Sequence, residues 1–201
     1  MTALGAEDAL TPGAQRVLDA ASELFYAEGI HAVGVERIAE TAGVTKKTLY
    51  DRFGSKERLV LAYLRRREDG WRNILADHLA NEPEPGIPRI LAVFDAAMVW
   101  HGGSSAKGCS AVNARAETRL DGDDDPVLPE VLSEKAWLLD RFTTLCAEAG
   151  LPMPHQQAAR LMLLFDGALV SIAMRTFSEP LRAARDTAAD LLGLASSAGR
   201  T

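Results

Sequence analysis

Apolar residues recur at intervals of three and four along almost the whole chain, and this spacing constrains the fold more than any other feature. In the first such segment, one stripe of a helix carries Val17, Leu18, Ala21, Leu24 and Phe25. No segment of useful length alternates between apolar and polar residues, so a β-sheet is not expected. The spacing therefore predicts an all-α protein.

Glycine, proline and capping residues divide this pattern into about nine helices. Gly29, Gly43 and Gly54 end the first three, and a Pro/Gly-rich connector at 81–88 follows a long fourth helix. The later helices are predicted over 88–101, 108–119, 127–149, 155–178 and 181–193. We expect a three-helix N-terminal domain over 1–54, a connecting fourth helix over 55–80, and a C-terminal helical bundle over 81–201.

Residues 35–53 have the pattern of two short helices joined by a tight turn. Ala39 is small where the second helix must come close, and Gly43 stands where the turn requires a positive φ. Val44 and Leu49 are suited to fill the small core between the two helices. The pattern predicts a helix-turn-helix, in which the outer face of the second helix is free to enter the major groove of DNA.

The second of these short helices carries the candidate DNA-binding residues. A helix turns by about 100° per residue, so Lys47, Thr48 and Tyr50 point away from the side of Leu49. Lysines suit guanine edges or phosphates, and hydroxyls donate to phosphate oxygens. Tyr50 has a second interpretation, as a core aromatic. The expected contacts are Thr45, Lys46, Lys47, Thr48, Tyr50, Arg52 and, at the start of the fourth helix, Lys56.

Asp51 also falls on the outer side of this helix, where its carboxylate would repel phosphates. It is accommodated if it accepts a hydrogen bond from a cytosine N4 amine, or if it pairs with Lys47 one turn away. The sequence leaves both alternatives open.

Charge is unevenly distributed along the chain. The net charge is −6, but residues 44–67 contain eight Lys or Arg and two Asp or Glu. A phosphate backbone responds to such a local field rather than to the total. A solvated helical face would have the same composition, so the basic segment indicates DNA only together with the helix-turn-helix pattern.

The sequence lacks the residue spacings that indicate an enzyme, a metal site or a membrane protein. It has no G-x-S-x-G, no phosphate-binding glycine loop and no H-E-x-x-H, and its histidines do not have metal-ligand spacing. We therefore expect no catalytic residue, metal or cofactor. Cys109 and Cys146 are expected to be reduced thiols. The N-terminus has no secretory pattern, and the longest nearly apolar run contains Asp166, so a cytoplasmic protein is expected.

The run GVERIAETAGVTKKTLYDRFGSKERLVLAYL (34–64) resembles the DNA-binding domain of the TetR family of transcriptional regulators, over about residues 13–64. The residues that carry the resemblance are Phe25, Gly29, Ile38, Ala39, Ala42, Gly43, Val44, Thr48, Leu49, Tyr50, Phe53, Ser55, Lys56 and Glu57. Many members have a threonine where the second helix begins, and this chain has Gly34 and Val35 there. The phosphate contact of that threonine is therefore in doubt, and Arg37, one turn along, is a candidate to replace it.

The resemblance implies a ligand-responsive repressor that binds a palindromic double-stranded DNA operator as a homodimer. An unknown small-molecule effector, bound among the C-terminal helices, would release it from DNA. The alternative of another class is a helical small-molecule-binding or scaffolding dimer without specific DNA binding, and an activator is the alternative within the class.

The last two predicted helices are the expected dimer interface, as the family resemblance implies. The first of them is rich in small and apolar residues that allow close helix approach, although an ordinary intrachain core would look much the same. The interface residues expected are Ala158, Leu161, Leu164, Ala168, Ser171 and Leu191.

Aromatic or polar residues within the apolar C-terminal helices are the candidate effector-binding residues, because a few polar groups in an apolar cavity orient a small ligand. They are Trp100, His101, Cys109, Asn113, Trp137, Phe142, Met162 and Asp166. Trp137, Phe142 and Met162 are equally suited to a core, and Cys109 is either a redox sensor or an inert thiol. Asp166 needs a partner if it is buried, and a ligand amine, a dimer contact or a position at a rim would each satisfy it.

Overall fold

The computed structural model describes residues 10–102, 107–117 and 127–193, and within these ranges the protein is all-α. The helices are α1 (Pro12–Glu28), α2 (Val35–Thr41), α3 (Lys46–Phe53), α4 (Lys56–Asn81), α5 (Ile87–Gly102), α6 (Ser110–Glu117), α7 (Val127–Glu148), α8 (Pro154–Met174) and α9 (Pro180–Leu191). The predicted fold class and helix order are confirmed. Residues 118 and 119 of the predicted sixth helix lie outside the described ranges.

The chain forms two compact units, and the division falls inside α4, between Arg65 and Arg66. The N-terminal unit comprises the described residues of 1–65 and 114–130, and the C-terminal unit comprises those of 66–113 and 131–201. Residues 114–117 and 127–130 thus pack with the N-terminal unit, although they come from the stretch that the sequence analysis assigned to the C-terminal domain.

In the N-terminal unit, α1, α2 and α3 pack against one another around a small apolar core. The stripe of α1 faces this core, since Val17, Leu18, Ala21 and Phe25 are all buried. The Thr11 side chain caps the helix by accepting a hydrogen bond from the amide of Ala14. The predicted helical stripe is therefore the buried face, although its fifth residue, Leu24, is only half-buried.

The turn between α2 and α3 is tight and well hydrogen-bonded. Gly43 has φ +64°, and the amide of Val44 donates to the carbonyl of Ala39 at 3.0 Å. The guanidinium Nε of Arg16 donates to the carbonyl of Ala42 at 3.2 Å and so ties α1 to this turn. The left-handed backbone at Gly43 explains why a glycine stands there.

Two carboxylates from the later segments hold the N-terminal unit together. Oε2 of Glu117 accepts a hydrogen bond from the amide of His31, in the loop between α1 and α2, at 2.6 Å. Glu130 accepts two hydrogen bonds from Arg65, at 3.0 and 2.9 Å. This bidentate pair fixes the start of α7 against α4 within the same unit.

In the C-terminal unit, aromatic rings form the centre of the core. The ring of Phe94 lies 5.9 Å from that of Phe142 and 5.8 Å from that of Phe165, and Trp71 lies 5.9 Å from Phe165. Such edge-on and tilted contacts are favourable for aromatic pairs. Both α5 and α8 pack against α9.

Helix α8 is long and apolar enough, by length and composition alone, to cross a membrane. Its inner face is buried in the C-terminal unit through Ala158, Leu161, Phe165 and Leu169. The core helix of a soluble protein passes the same test, so this composition does not by itself indicate a membrane protein.

Candidate nucleic-acid interface and effector cavity

Helix α3 presents a polar, mostly cationic face to solvent. Lys46, Lys47, Asp51 and Arg52 are exposed, whereas Leu49 on the opposite side is completely buried. Tyr50 is 44% exposed, so its interpretation as a core aromatic is wrong. The helix therefore leaves free the side that the sequence predicted to contact DNA, and the contacts themselves stay a prediction.

The ends of this helix position the remaining candidate contacts. Oγ1 of Thr45 caps α3 by accepting from the amide of Thr48 at 3.1 Å, and the two hydroxyls lie 3.0 Å apart. Thr48 is thus half-buried rather than fully exposed. Lys56, at the start of α4, holds its ammonium 6.0 Å from the centroid of the Phe25 ring. This cation–π contact places the charge beside the N-terminal end of α4.

Three of the predicted DNA-binding cations form ion pairs with carboxylates of the same chain. Lys46 Nζ lies 2.7 Å from Glu36, Lys47 Nζ lies 2.7 Å from Asp51, and Arg37 lies 2.5 Å from Glu28. The Lys46 ammonium lowers the pKa of Glu36, and Glu36 in turn raises the pKa of Lys46. Of the two alternatives for Asp51, the free protein shows the pair with Lys47. The partner carboxylates Glu28 and Glu36 were not predicted, because they come from other helices than α3.

The C-terminal unit contains a small polar cavity between α4, α5, the start of α6, α7 and α8. Its volume is about 30 Å³, which is room for one or two water molecules. The polar lining residues are Arg67, Glu68, His101, Ser110, Glu134 and Lys135. The apolar lining residues are Trp71, Trp100, Cys109, Leu138, Phe165 and Leu169.

The cavity brings together three of the predicted effector-binding residues, Trp100, His101 and Cys109. Asp166 does not line it, but its Oδ1 accepts a hydrogen bond from Nζ of Lys135, a lining residue, at 2.6 Å. Asp166 therefore has a partner within its own chain, which the sequence analysis did not consider.

The other four predicted effector residues lie elsewhere. Asn113 donates from its side-chain amide to the carbonyl of Lys107, and Phe142 belongs to the aromatic core. Trp137 stacks with the guanidinium of Arg72, 4.4 Å from the ring centroid, and Met162 is half-buried away from the cavity. Trp137 misses the cavity because it lies about 100° around α7 from the lining residue Leu138.

Burial determines the protonation states of two residues that line the cavity, Glu134 and His101. Together with the nearby Glu68 carboxylate, it raises the pKa of Glu134 to about 7, against the opposing effect of Lys135. Burial, assisted by Arg67 and Lys135, lowers the pKa of His101 to about 4. His101 is therefore neutral at pH 7. Its buried Nδ1 has no hydrogen-bond partner among the described residues.

The two cysteines are buried thiols. Burial raises the pKa of Cys109, and it raises that of Cys146 to about 11. Both are protonated at neutral pH, and the thiolate is the reactive form. Of the two alternatives for Cys109, this favours the inert thiol.

Four charged residues line the cavity without having been predicted to do so: Arg67, Glu68, Glu134 and Lys135. Arg67 was counted in the basic segment 44–67, but its side chain lies over Trp100 in the cavity, 5.2 Å from the ring centroid. The adjacent acid and base at 134–135 were the one feature of the sequence that could have indicated a polar site on this helix. Charged residues on a long helix are usually solvated, which is why the signal was not used.

The predicted dimer face of α8 needs correction. Ala158 and Leu161 are completely buried within the chain's own unit and Ala168 is 5% exposed, so these three are unavailable to a partner. Leu164 and Ser171 are half-buried, and Leu191 on α9 is exposed. The exposed apolar residues of α8 form a different stripe, which consists of Leu163, Gly167, Val170 and Met174 and continues to Phe177.

Comparisons with known proteins agree with this geometry. The sequence profile described as "Bacterial regulatory proteins, tetR family" matches residues 17–63. The chain is similar to the crystal structure of a TetR-family transcriptional regulator from Streptomyces coelicolor, with TM-score 0.83 and 30% identity over 90% of this chain and 94% of that one. A regulator from Streptomyces avermitilis has TM-score 0.73 and 28% identity over 91% and 98% of the two chains.

A shorter similarity is to the transcriptional activator FasR of Mycolicibacterium smegmatis. It is 50% identical over 54 residues, which are 27% of this chain and 25% of that protein. The full-length likeness to the Streptomyces coelicolor regulator and the matched helix-turn-helix lead to one conclusion. This chain belongs to the TetR family and is a transcriptional regulator with a DNA-binding domain, not an enzyme.

Proposed function

We propose that this chain is a cytoplasmic, ligand-responsive repressor that binds a palindromic operator as a homodimer and leaves it when a small polar effector occupies the cavity. The exposed cationic face of α3, held by the capped turn before it, is the observation that carries the proposal. The second helix of a helix-turn-helix lies in the major groove, and its N-terminal residues contact the edges of the bases.

The proposed contacts with DNA are of two kinds, to base edges and to phosphates. Lys46 and Lys47 reach base edges, and hydroxyls and peripheral cations hold phosphates. The phosphate contacts proposed are Arg37, Thr45, Thr48, Tyr50, Arg52 and Lys56. The ion pairs of Lys46 and Arg37 do not oppose this, because exposed pairs contribute about 0–1 kcal/mol and exchange readily for groups of the DNA.

The proposed dimer interface is the exposed stripe of α8. Leu163, Gly167, Val170 and Met174 follow one another at intervals of four and three, the spacing by which helices pack along a common seam, and exposed Phe177 comes just after the end of α8. Leu163 and Met174 are 75% and 69% exposed, and apart from the helix's own backbone no described atom lies within 4 Å of where a Cβ on Gly167 would be. Exposed Leu191 on α9 adds to this surface. A second copy would cover the stripe and supply the second α3.

The proposed effector site is the cavity that Trp100, His101, Cys109 and Lys135 line. It is too small for a metabolite as it stands, so an effector has to displace side chains. Arg67, stacked over Trp100, is the side chain placed to move. His101 also lines an open groove of about 300 Å³ beside Ile172 and Pro180, which is the proposed entrance. An effector that favours the enlarged cavity shifts the protein away from its DNA-binding state.

Selection of sequences from a random duplex pool by the purified protein tests the operator. We expect an inverted repeat whose half-sites lie about 34 Å apart. A thermal-shift screen of small polar compounds then identifies effectors, since a ligand stabilises the native state according to its occupancy. Binding that depends on salt but on no sequence would refute the repressor and favour the scaffolding alternative.

The similarity to FasR supports a second candidate, an activator, because that protein is named as an activator. The likeness covers only 27% of this chain, and the sign of regulation depends on where the operator lies relative to the promoter. A reporter gene behind the selected operator, with and without the protein, distinguishes the two.

A further inference from the structure

Asp51 is the one acidic residue of α3, and it lies beside a lysine on the outward face. Its Oδ2 is 2.7 Å from Nζ of Lys47, one helical turn away, and the two side chains are 56% and 83% exposed. We propose that Lys47 and Asp51 act as one unit that reads a single G·C base pair in each half of the operator. Lys47 binds the guanine and Asp51 the cytosine. The inference rests on the operator binding proposed above.

The position of Asp51 distinguishes it from the other acid beside the lysines. Glu36 pairs with Lys46 from the first turn of α2 and can stay outside the groove as a counter-ion. Asp51 belongs to α3 itself and shares the exposed side of that helix with Lys47. When α3 enters the groove, the Asp51 carboxylate enters with it, between two rows of phosphates. The pair with Lys47 occupies one oxygen of the carboxylate, and a base donor can bind the other.

The geometry of the pair matches the edge of a G·C pair in the major groove. Guanine O6 accepts and cytosine N4 donates, and these two atoms lie about 2.9 Å apart because they are hydrogen-bonded to each other. The Lys47 donor and the Asp51 acceptor are also side by side, 2.7 Å apart. Lys47 keeps two N–H groups for O6 and N7 of guanine, and Asp51 keeps its second oxygen for cytosine N4.

An A·T pair fits less well. Its single donor, adenine N6, lies between two acceptors, adenine N7 and thymine O4. A carboxylate placed on N6 therefore faces an acceptor on each side, and only one of them can be covered by Lys47. In a G·C pair both acceptors lie on the lysine side. The ion pair is also neutral as a unit, so it adds selectivity without adding to the general attraction for phosphates.

Selection from a random duplex pool with wild type, Asp51→Asn and Glu36→Gln tests the inference. Both variants remove one negative charge beside a lysine, and only the first changes the proposed reading unit. We expect the wild type to select one G·C pair in each half-site that Asp51→Asn replaces by A·T, since asparagine bonds to adenine N6 and N7. On the wild-type operator, Asp51→Asn should bind between about five-fold and about 140-fold more weakly. Glu36→Gln should select the wild-type sequence.

Three results would overturn the inference or its basis. If Asp51→Asn selects the wild-type sequence and binds all duplexes more tightly, Asp51 is only a counter-ion. If Lys47→Met, a second variant, keeps the G·C preference at that position, the pair does not act as a unit. If the wild type selects no sequence, the operator function itself fails. Circular dichroism and thermal melting of each variant confirm that these exposed substitutions leave the fold intact.

Discussion

The exposed stripe of α8 allows a quantitative prediction about dimerisation. Leu163 is 75% exposed in the single chain, so Leu163→Lys removes little packing from the folded protomer. Full burial of a leucine side chain is worth about 1.5–3 kcal/mol, and three-quarters of it about 1–2 kcal/mol. A symmetric dimer contains the residue twice. The substitution should therefore cost the dimer about 2–4 kcal/mol, a weakening between about 30-fold and about 700-fold.

Analytical ultracentrifugation over a range of concentrations measures this change as a shift in the dimer dissociation constant. Leu132→Lys is the matched control, because Leu132 is 59% exposed on α7 and lies outside the stripe. The operator affinity of Leu163→Lys should fall at protein concentrations where the wild type is dimeric. The reasoning is refuted if Leu163→Lys dimerises like the wild type, or if Leu132→Lys dissociates to the same degree.

Three further predictions concern the cavity and the DNA contacts. The raised pKa of Glu134, about 7, means that the native state binds more protons than the unfolded state between about pH 4.5 and 7, so this group lowers the free energy of unfolding as pH rises through that window. Glu134→Gln should therefore gain stability relative to wild type with rising pH, by up to about 3 kcal/mol above pH 7 in urea unfolding; a constant difference would contradict this. The lowered pKa of His101 has the opposite effect, since it raises the free energy of unfolding as pH rises from about 4 to 6.5. Variant and wild type are therefore compared at the same pH, where they share this contribution. Asp166→Asn should destabilise the protein by about 1–3 kcal/mol, since it removes the charged partner of Lys135. It should also alter the response to effector more than the affinity for the operator. An unchanged free energy of unfolding would show that the ion pair is not made in solution. Tyr50→Phe should weaken operator binding in fluorescence anisotropy without changing the selected sequence, and an unaltered affinity would remove Tyr50 from the phosphate contacts.

The N-terminal helices were predictable because their signals are local. Gly43 has to adopt a left-handed conformation, Thr45 caps the helix that follows it, and Leu49 fills the inner side. Each of these roles depends on residues a few positions away, so the periodicity and the turn residues were enough to predict the helix-turn-helix and the outward face of α3. Tyr50 is exposed for the same reason, since it lies next to Leu49 on a short amphipathic helix.

The cavity was not predictable to the same degree, because its lining comes from five helices. Aromatic and polar residues were chosen one at a time, and Phe142 and Trp137 met the criterion as well as Trp100 did. Arg67 and Lys135 were not chosen, since a charged residue on a helix gives no local sign that it faces inward. Their roles depend on which faces of α4 and α7 meet.

The amino-acid sequence by itself determined that the chain is helical, that it carries a helix-turn-helix near its N-terminus, and which side of α3 faces solvent. Tertiary structure alone decided which apolar side of α8 is buried. Ala158, Leu161 and Ala168 on one side and Leu163, Val170 and Met174 on the other are all compatible with a core. Hydrophobic burial has no direction of its own, so the choice between two apolar faces depends on what the rest of the chain brings against them.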